Sequence, residues 1–290
     1  MKLLPSVLGA VILCLLPKAL PAADDVPVRP RLNNAFFAFD NGTGRGRLSP
    51  QDQVDLLEQL GYDGIGYTGA KGIPPMLEAL DAKGLKMFSI YVGARVGPDG
   101  PSFDPNLPRA IKDLKGRQTF IWLTIHGGKP STPDFDEQAV KVVRQVAELA
   151  QQSGLSVVLY PHVGFYVARV EDAVRVVEQV DRPNVGLAFN LCHWLKVGDE
   201  PNMQSRLKQA LPHLKLVSIN GADHEGGWDR LIQTLDRGEF DVYNFLKTLE
   251  QLGYDGPIGL QCYAIKGDVR ENLGRSISAW QGFVKRMAAQ

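Results

Sequence analysis

From Asn34 onward, short apolar runs alternate with longer stretches of mixed polarity. Eight runs read as strands: "NAFFAFD", "GIGYTG", "KMFSIYVGA", "TFIWLTIHG", "SVVLYPHVG", "VGLAFNL", "KLVSING" and "PIGLQCYA". Most are apolar at consecutive positions rather than alternate ones, as in strands covered on both faces. The stretches 49–60, 73–83, 105–115, 134–153, 169–181, 203–213, 241–252 and 271–289 carry helical patterning. In 134–153, Val140, Val143, Ala147 and Ala150 recur at helical spacing. Ser49-Pro50, and Asp241 ahead of "VYNFL", supply helix starts. Strand and helix alternating eight times predict an α/β fold, a (β/α)8 TIM barrel, as a single domain over 33–290. A doubly wound sheet is the rival, and "FDNGTGRGRLSP" offers glycines for its phosphate turn. The helix signal at Ser49-Pro50 comes too late for a phosphate to sit on the helix end. One joint is used twice: "LGYDGIG" (60–66) and "LGYDGPIG" (252–259) each close a helix with glycine and enter a strand.

The first residues break this pattern. "MKLLPSVLGAVILCLLPKALPAADD" has a basic start at Lys2, an apolar stretch from Leu3 to Leu16, and small residues around Pro21-Ala22-Ala23. This predicts a signal peptide over 1–23 followed by a linker over 24–32, and hence export to the periplasm or the extracellular space. The apolar stretch is shorter than the ~20 residues of a spanning helix, so no stable membrane insertion is expected after cleavage. An uncleaved anchor is the alternative.

Composition adds little: 290 residues, 44% hydrophobic, 22% charged and a net charge of zero. Removing 1–23 takes away Lys2 and Lys18 and no acid, leaving 30 basic against 32 acidic residues. No basic face attracts nucleic acid or anionic lipid. Of the cysteines, Cys192 and Cys262 stand beside strand ends. They read as small core residues, and pairing between them stays open.

Chemistry in a TIM barrel sits at the C-terminal strand ends and the loops that follow. The polar residues there are Asp40, Tyr67, Arg95, His126, Tyr160 with His162, Asn190 with His193, Asn220 with Asp223, and Gln261 with Tyr263. His162 and His193 are the candidate acid–base groups, since imidazole works near neutral pH. Tyr160, Asn190, Asn220, Gln261, His126, Asp223 and Trp194 are the candidate substrate contacts. Amides both donate and accept, as sugar hydroxyls do, and Trp194 or Trp228 could stack on a sugar face. The plain alternatives are a satisfied core histidine for His162, layer-capping amides, and core tryptophans. Asp40 and Asp223 as a glycosidase carboxylate pair would end strands that are not adjacent.

Here the sequence resembles the xylose-isomerase-like TIM barrels, which include sugar (phosphate) isomerases and epimerases. The "LGYDG" joints and the spacing of the last four strands carry the resemblance. It implies that the fifth to eighth strands end where metal-dependent members place Glu, Asp, His and Glu around one divalent metal. Tyr160, Asn190, Asn220 and Gln261 fall at those positions, His193 at a sugar-contacting histidine, and Tyr67 where many members carry a Glu. A hard dication wants anionic oxygen or imidazole, and these four side chains offer neither. No cofactor is therefore expected. A relocated divalent metal (Mn, Mg, Co or Zn) on His162, His193 or Asp223 is the alternative.

With the N-terminal segment, the resemblance implies an exported carbohydrate-active protein acting on a small sugar or keto-sugar, and His162 and His193 are the groups left here for proton transfer. Two further readings stay open: a non-catalytic sugar-binding barrel, and a lyase or epimerase with a relocated metal. An abasic-site endonuclease on the same barrel would need clustered His and acidic ligands and a basic face.

Overall fold

The computed structural model describes residues 32–289. The expected signal peptide and the linker up to residue 31 lie outside the described residues. The barrel strands are β1 (Phe36–Phe39), β2 (Gly64–Thr68), β3 (Lys86–Arg95), β4 (Phe120–His126), β5 (Ser156–Leu159), β6 (Val185–Asn190), β7 (Leu214–Ile219) and β8 (Ile258–Leu260). Each pairs in parallel with the next, and β8 pairs with β1, so the sheet closes. A two-residue antiparallel segment, Ser102–Phe103, extends the end of β3. This is a single (β/α)8 TIM barrel.

Around it run α1 (Pro50–Leu60), α2 (Ile73–Lys83), α3 (Leu107–Asp113), α4 (Asp136–Gln151), α5 (Val170–Val180), α6 (Leu191–Lys196), α7 (Met203–Ala210), α8 (Trp228–Leu231), α9 (Val242–Gln251) and α10 (Val269–Ala288). The sequence pattern anticipates eight of these helices. It misses α6 and α8, which are 6 and 4 residues long, too short to carry a period. The start signals act as read. Ser49 accepts from the Asp52 N–H, and Asp241 from the Asn244 N–H. In the repeated joint, Gly61 and Gly253 take φ of 83° and 81°, where a Cβ would be strained.

Two apolar layers hold the barrel. Outside, the strands pack on the helices through aliphatic residues such as Ile65, Ile121, Val157, Leu187 and Ile258. Inside, the filling is aromatic: Phe37, Phe39, Phe88, Trp122 and Tyr160, with Val158, Ala188 and Leu216. Phe37 stacks on Phe88 at 4.6 Å, Phe39 on Trp122 at 4.5 Å, and Trp122 on Tyr160 at 4.0 Å between ring centroids. Rings of this size need small neighbours, and Gly66 and Gly259 provide them. A Cβ on Gly259 would lie 2.6 Å from Phe37 Cζ and 2.7 Å from Phe39 Cε2. Gly259→Ala is therefore expected to lower stability by about 1–3 kcal/mol through overpacking. An unchanged urea-unfolding midpoint would show that the two rings give way freely.

Candidate functional site

A cavity of about 330 Å³ opens at the C-terminal ends of the strands. Its floor and walls are the upper aromatic layer, Phe39, Tyr91, Trp122 and Tyr160. The rim adds Arg45, Thr68, His162, His193, Trp228, Ile232, Gln261 and Tyr263. Large apolar faces with a few convergent polar groups are what a small organic ligand needs.

The two histidines are neighbours, with ring centroids 3.9 Å apart. His162 stands just past β5, and its Nδ1 lies 3.0 Å from the Val163 carbonyl oxygen. A carbonyl only accepts, so Nδ1 carries the hydrogen and Nε2 presents a lone pair. Phe165 stacks on the His162 ring at 3.9 Å and leans on His126 at 3.8 Å. His193 is set by α6. Asn190 caps that helix by accepting from the His193 N–H at 3.1 Å, which places the imidazole one turn above the strand end. His193 is only 6% exposed, and its Nδ1 is buried without a hydrogen-bond partner among the described residues.

Burial sets the charge states. It pushes the His193 pKa well below the ordinary value, and the adjacent His162 adds to the effect. His162 is also lowered by burial, although the Val163 carbonyl favours its charged form. Burial and Arg95 lower His126. All three therefore favour the neutral form in the fold, while an unfolded histidine takes its proton near pH ~6.5. Well above that pH neither state binds the proton, and stability is unaffected. Below it the unfolded state binds protons that the folded state refuses, so stability falls until the folded-state values are passed. Unfolding free energy is expected to be flat above neutrality and to decline below pH ~6.5. His193→Gln should make that decline shallower. A slope unchanged by the substitution would assign the effect elsewhere.

The amides at the strand ends serve one another. Asn190 donates to the Tyr160 hydroxyl at 3.0 Å and to Ser218 Oγ at 3.1 Å. Its Oδ1 accepts from the His193 N–H and from the Cys192 thiol at 3.0 Å. Gln261 Oε1 accepts from the backbone N–H groups of Cys262 and Tyr263 at 3.0 and 3.1 Å, and from Asn41. The Gln261 side chain lies near the Tyr160 hydroxyl and eases its ionisation slightly. Burial, with Cys192 and Tyr91 nearby, holds the Tyr160 phenol well above its ordinary pKa, so it stays protonated. Asn220 is fully buried; it donates to the Gly221 and Leu231 carbonyls at 2.8 and 2.7 Å, and its Oδ1 has no partner among the described residues.

Of the nine candidate residues, Tyr160, His162, His193 and Gln261 line the cavity. Asn190 lies beneath Tyr160, and Asn220 faces the loop that leads from α8. His126 stands outside the lining; it leans on Phe165, and its Nε2 lies 2.9 Å from Thr124 Oγ1. Trp194 is in the core among Phe189, Phe240 and Phe245, with its Nε1 donating to Asp199 at 3.2 Å; it faces away from the cavity because α6 turns by 100° per residue. Asp223 pairs with Arg230 at 2.6 Å on the loop after β7, so the relocated set of His162, His193 and Asp223 is not assembled. Among the described residues, no three His, Cys, Asp or Glu side chains are grouped to hold a metal ion. Asp40 pairs with Arg45 and Thr68 rather than with Asp223. Cys192 and Cys262 are free and buried, and burial pushes both thiols up to about 12.

Sequence reasoning missed Phe39, Arg45, Tyr91 and Trp122. Phe39 and Trp122 were legible as inward positions from the alternation along their strands, Phe39 with Phe37 and Trp122 with Thr124 and His126. Tyr91 was not. Pairing between β2 and β3 slips by one residue, Ile65 facing Met87 and Gly66 facing Ser89, so Phe88 is a bulge. That bulge lets both Phe88 and Tyr91 meet the interior aromatic layer, which a strict period of two forbids.

Fold and cavity together define a TIM barrel with a cavity at its C-terminal mouth, the end where TIM barrels carry their chemistry. The chain belongs to the xylose isomerase-like TIM barrel family, whose sequence profile matches residues 106–281. A ketose 3-epimerase of Arthrobacter globiformis is 27% identical over 157 residues, which is 53% of this chain and 50% of that protein. A putative hydroxypyruvate isomerase of Xenopus laevis is 24% identical over 147 residues, 49% of this chain and 50% of that protein. The matches thus span about half the length of these curated relatives. The crystal structure of the IOLI protein, which holds a zinc atom, superposes with a TM-score of 0.69 at 15% identity, covering 87% of this chain and 98% of that one. At that identity the likeness is one of fold.

Proposed function

We propose that this chain is an exported sugar isomerase or epimerase that moves a proton beside the carbonyl of a small keto-sugar. The observation that carries the reading is the neutral His162–His193 pair, both residues lining an aromatic cavity. The matches to a ketose 3-epimerase and a putative hydroxypyruvate isomerase support it.

In this mechanism the sugar lays its C–H face on Trp122 and Tyr160. His162 Nε2 takes the proton from the carbon next to the carbonyl, and the bond electrons move onto the carbonyl oxygen. The phenol of Tyr160, held protonated, and the Gln261 amide donate to that oxygen as charge develops. His193 exchanges a proton with the neighbouring hydroxyl. Return of the proton to the former carbonyl carbon gives the isomer, and its return to the original carbon on the opposite face gives the epimer. Incubation with keto-sugars in deuterated water tests this by NMR: the C–H signal beside the carbonyl should wash out, and His162→Gln should stop it. Sugar binding without exchange would instead make the chain a sugar-binding barrel.

The metal of the family does not fit the residues present. Two amide oxygens are spent on N–H donors, the phenol stays protonated, and none of the four positions carries charge. No step here runs through a metal. EDTA should leave exchange and melting unchanged. A metal at a hundred times its dissociation constant would stabilise the fold by about 2.7 kcal/mol, so a Mn²⁺ or Zn²⁺ shift of that size would overturn the metal-free mechanism. Export rests on residues 1–23, and a mature N-terminus near Asp24 outside the cytoplasm would support it.

A further inference from the structure

We infer that the ligand of this cavity carries a carboxylate, received by Arg45; this rests on the reading of the cavity as a sugar site. Arg45 is the one residue bearing a full charge among those lining the cavity, where burial keeps His162 and His193 neutral. Its guanidinium is anchored from behind. Nη1 donates to Asp40 Oδ1 at 3.0 Å, and Asp40 is 1% exposed. Thr68 fixes that carboxylate in turn, its N–H on Oδ2 at 2.8 Å and its Oγ1 on Oδ1 at 2.6 Å. Among the described residues, Nε and Nη2 of Arg45 donate to no group. A guanidinium has five N–H donors in one plane, so a carboxylate at one nitrogen leaves the rest of the fork for another.

The buried Asp40 offsets the charge of Arg45 but takes up only one of its nitrogens, and Thr68 shares in that negative charge. Donors therefore remain at the cavity rim with an orientation already fixed. One free fork matches one carboxylate. A phosphate dianion would call for a second cation, or for the N-terminus of a helix. Among the described residues no lysine lines the cavity, and Lys196, beside the lining residue Trp228, is engaged: its Nζ donates to the Gly226 carbonyl at 2.9 Å and lies 5.6 Å from the Trp228 ring centroid. The substrate class that fits is a sugar acid, such as a keto-aldonate or a uronate, with its carboxylate on Arg45 and its C–H face on the aromatic wall.

The test measures binding of matched probes to the full chain by calorimetry: a panel of 2-keto-aldonates and uronates, their neutral parent sugars, and the corresponding sugar phosphates. The carboxylated probe should bind about ten-fold or more tightly than its neutral parent, as charge-assisted hydrogen bonds allow. Arg45→Gln should bring that ratio to about one, and Arg45→Lys should leave it in between. Arg45→Gln leaves the buried Asp40 with Thr68 but without its cation, so a melting curve first establishes that each variant is folded at the temperature of the binding measurement. Equal binding of acid and parent, a ratio that survives Arg45→Gln, tighter binding of the phosphates, or no binding of any sugar acid would each overturn the inference. Exchange on neutral keto-sugars without acid preference would remove the carboxylate and leave the proposed function standing. An Arg45-dependent acid preference without proton exchange would do the reverse.

Discussion

His162→Gln is expected to reduce proton exchange on a keto-sugar by about 10²–10⁴-fold, the usual share of a positioned acid or base. Glutamine keeps a polar side chain of similar reach and loses the titratable nitrogen. The loss should therefore fall on turnover, with ligand affinity altered far less. His193 offers the sharper contrast. Its Nδ1 is buried without a partner, a condition that costs about 1–3 kcal/mol of stability. His193→Phe keeps an aromatic ring between His162 and Trp228 and removes the orphaned atom. It should raise the stability of the chain by about 1 kcal/mol while exchange falls. A rise in stability with exchange intact would show that His193 is mere filling. A fall in both would show that its nitrogen has a structural partner.

Asp172→Ala should be the most damaging single change to stability outside the hydrophobic core, at about 3–5 kcal/mol. Asp172 is 3% exposed at the start of α5 and accepts from four donors. These are Ser131 Oγ at 2.6 Å, the N–H groups of Ala168 and Arg169 at 3.1 and 2.9 Å, and Arg175 Nη1 at 2.8 Å. Arg175 also reaches Asp136 at 2.8 Å, and Asp136 in turn accepts from the Tyr166 hydroxyl at 2.7 Å. The cluster ties the loop after β4 to the loop after β5, which carries His162 and Phe165. Urea unfolding reads the first effect. The second is catalytic: the surviving folded fraction should show a lower turnover, because the His162 loop has lost its tether. A variant with wild-type stability would mean that water takes over all four donors.

The strand ends show how far one sequence reaches. "VGLAFN" announces a buried strand, and the polar Asn190 announces that something changes at its end. The side chain could not be assigned from there. Asn190 turns out to hold His193, Tyr160, Ser218 and Cys192 together, and all four come from other elements, two of them from a helix too short to read. Trp194 shows the same limit in reverse. It neighbours His193 in sequence, yet one residue of helical rotation sends it into the core.

Hydrophobic periodicity, glycine joints and helix caps are local, and each acts within one element or between adjacent ones. They determined the eight strands, the order of strand and helix, and hence the closed barrel and its working end. The site is made across the barrel. The pairing of His162 with His193, the bulge at Phe88 that brings Tyr91 inward, and the Asp40–Thr68 cradle under Arg45 join residues from different strands and loops. Only tertiary structure decided them, because register, bulges and side-chain direction are fixed by packing between elements rather than by the pattern within any one.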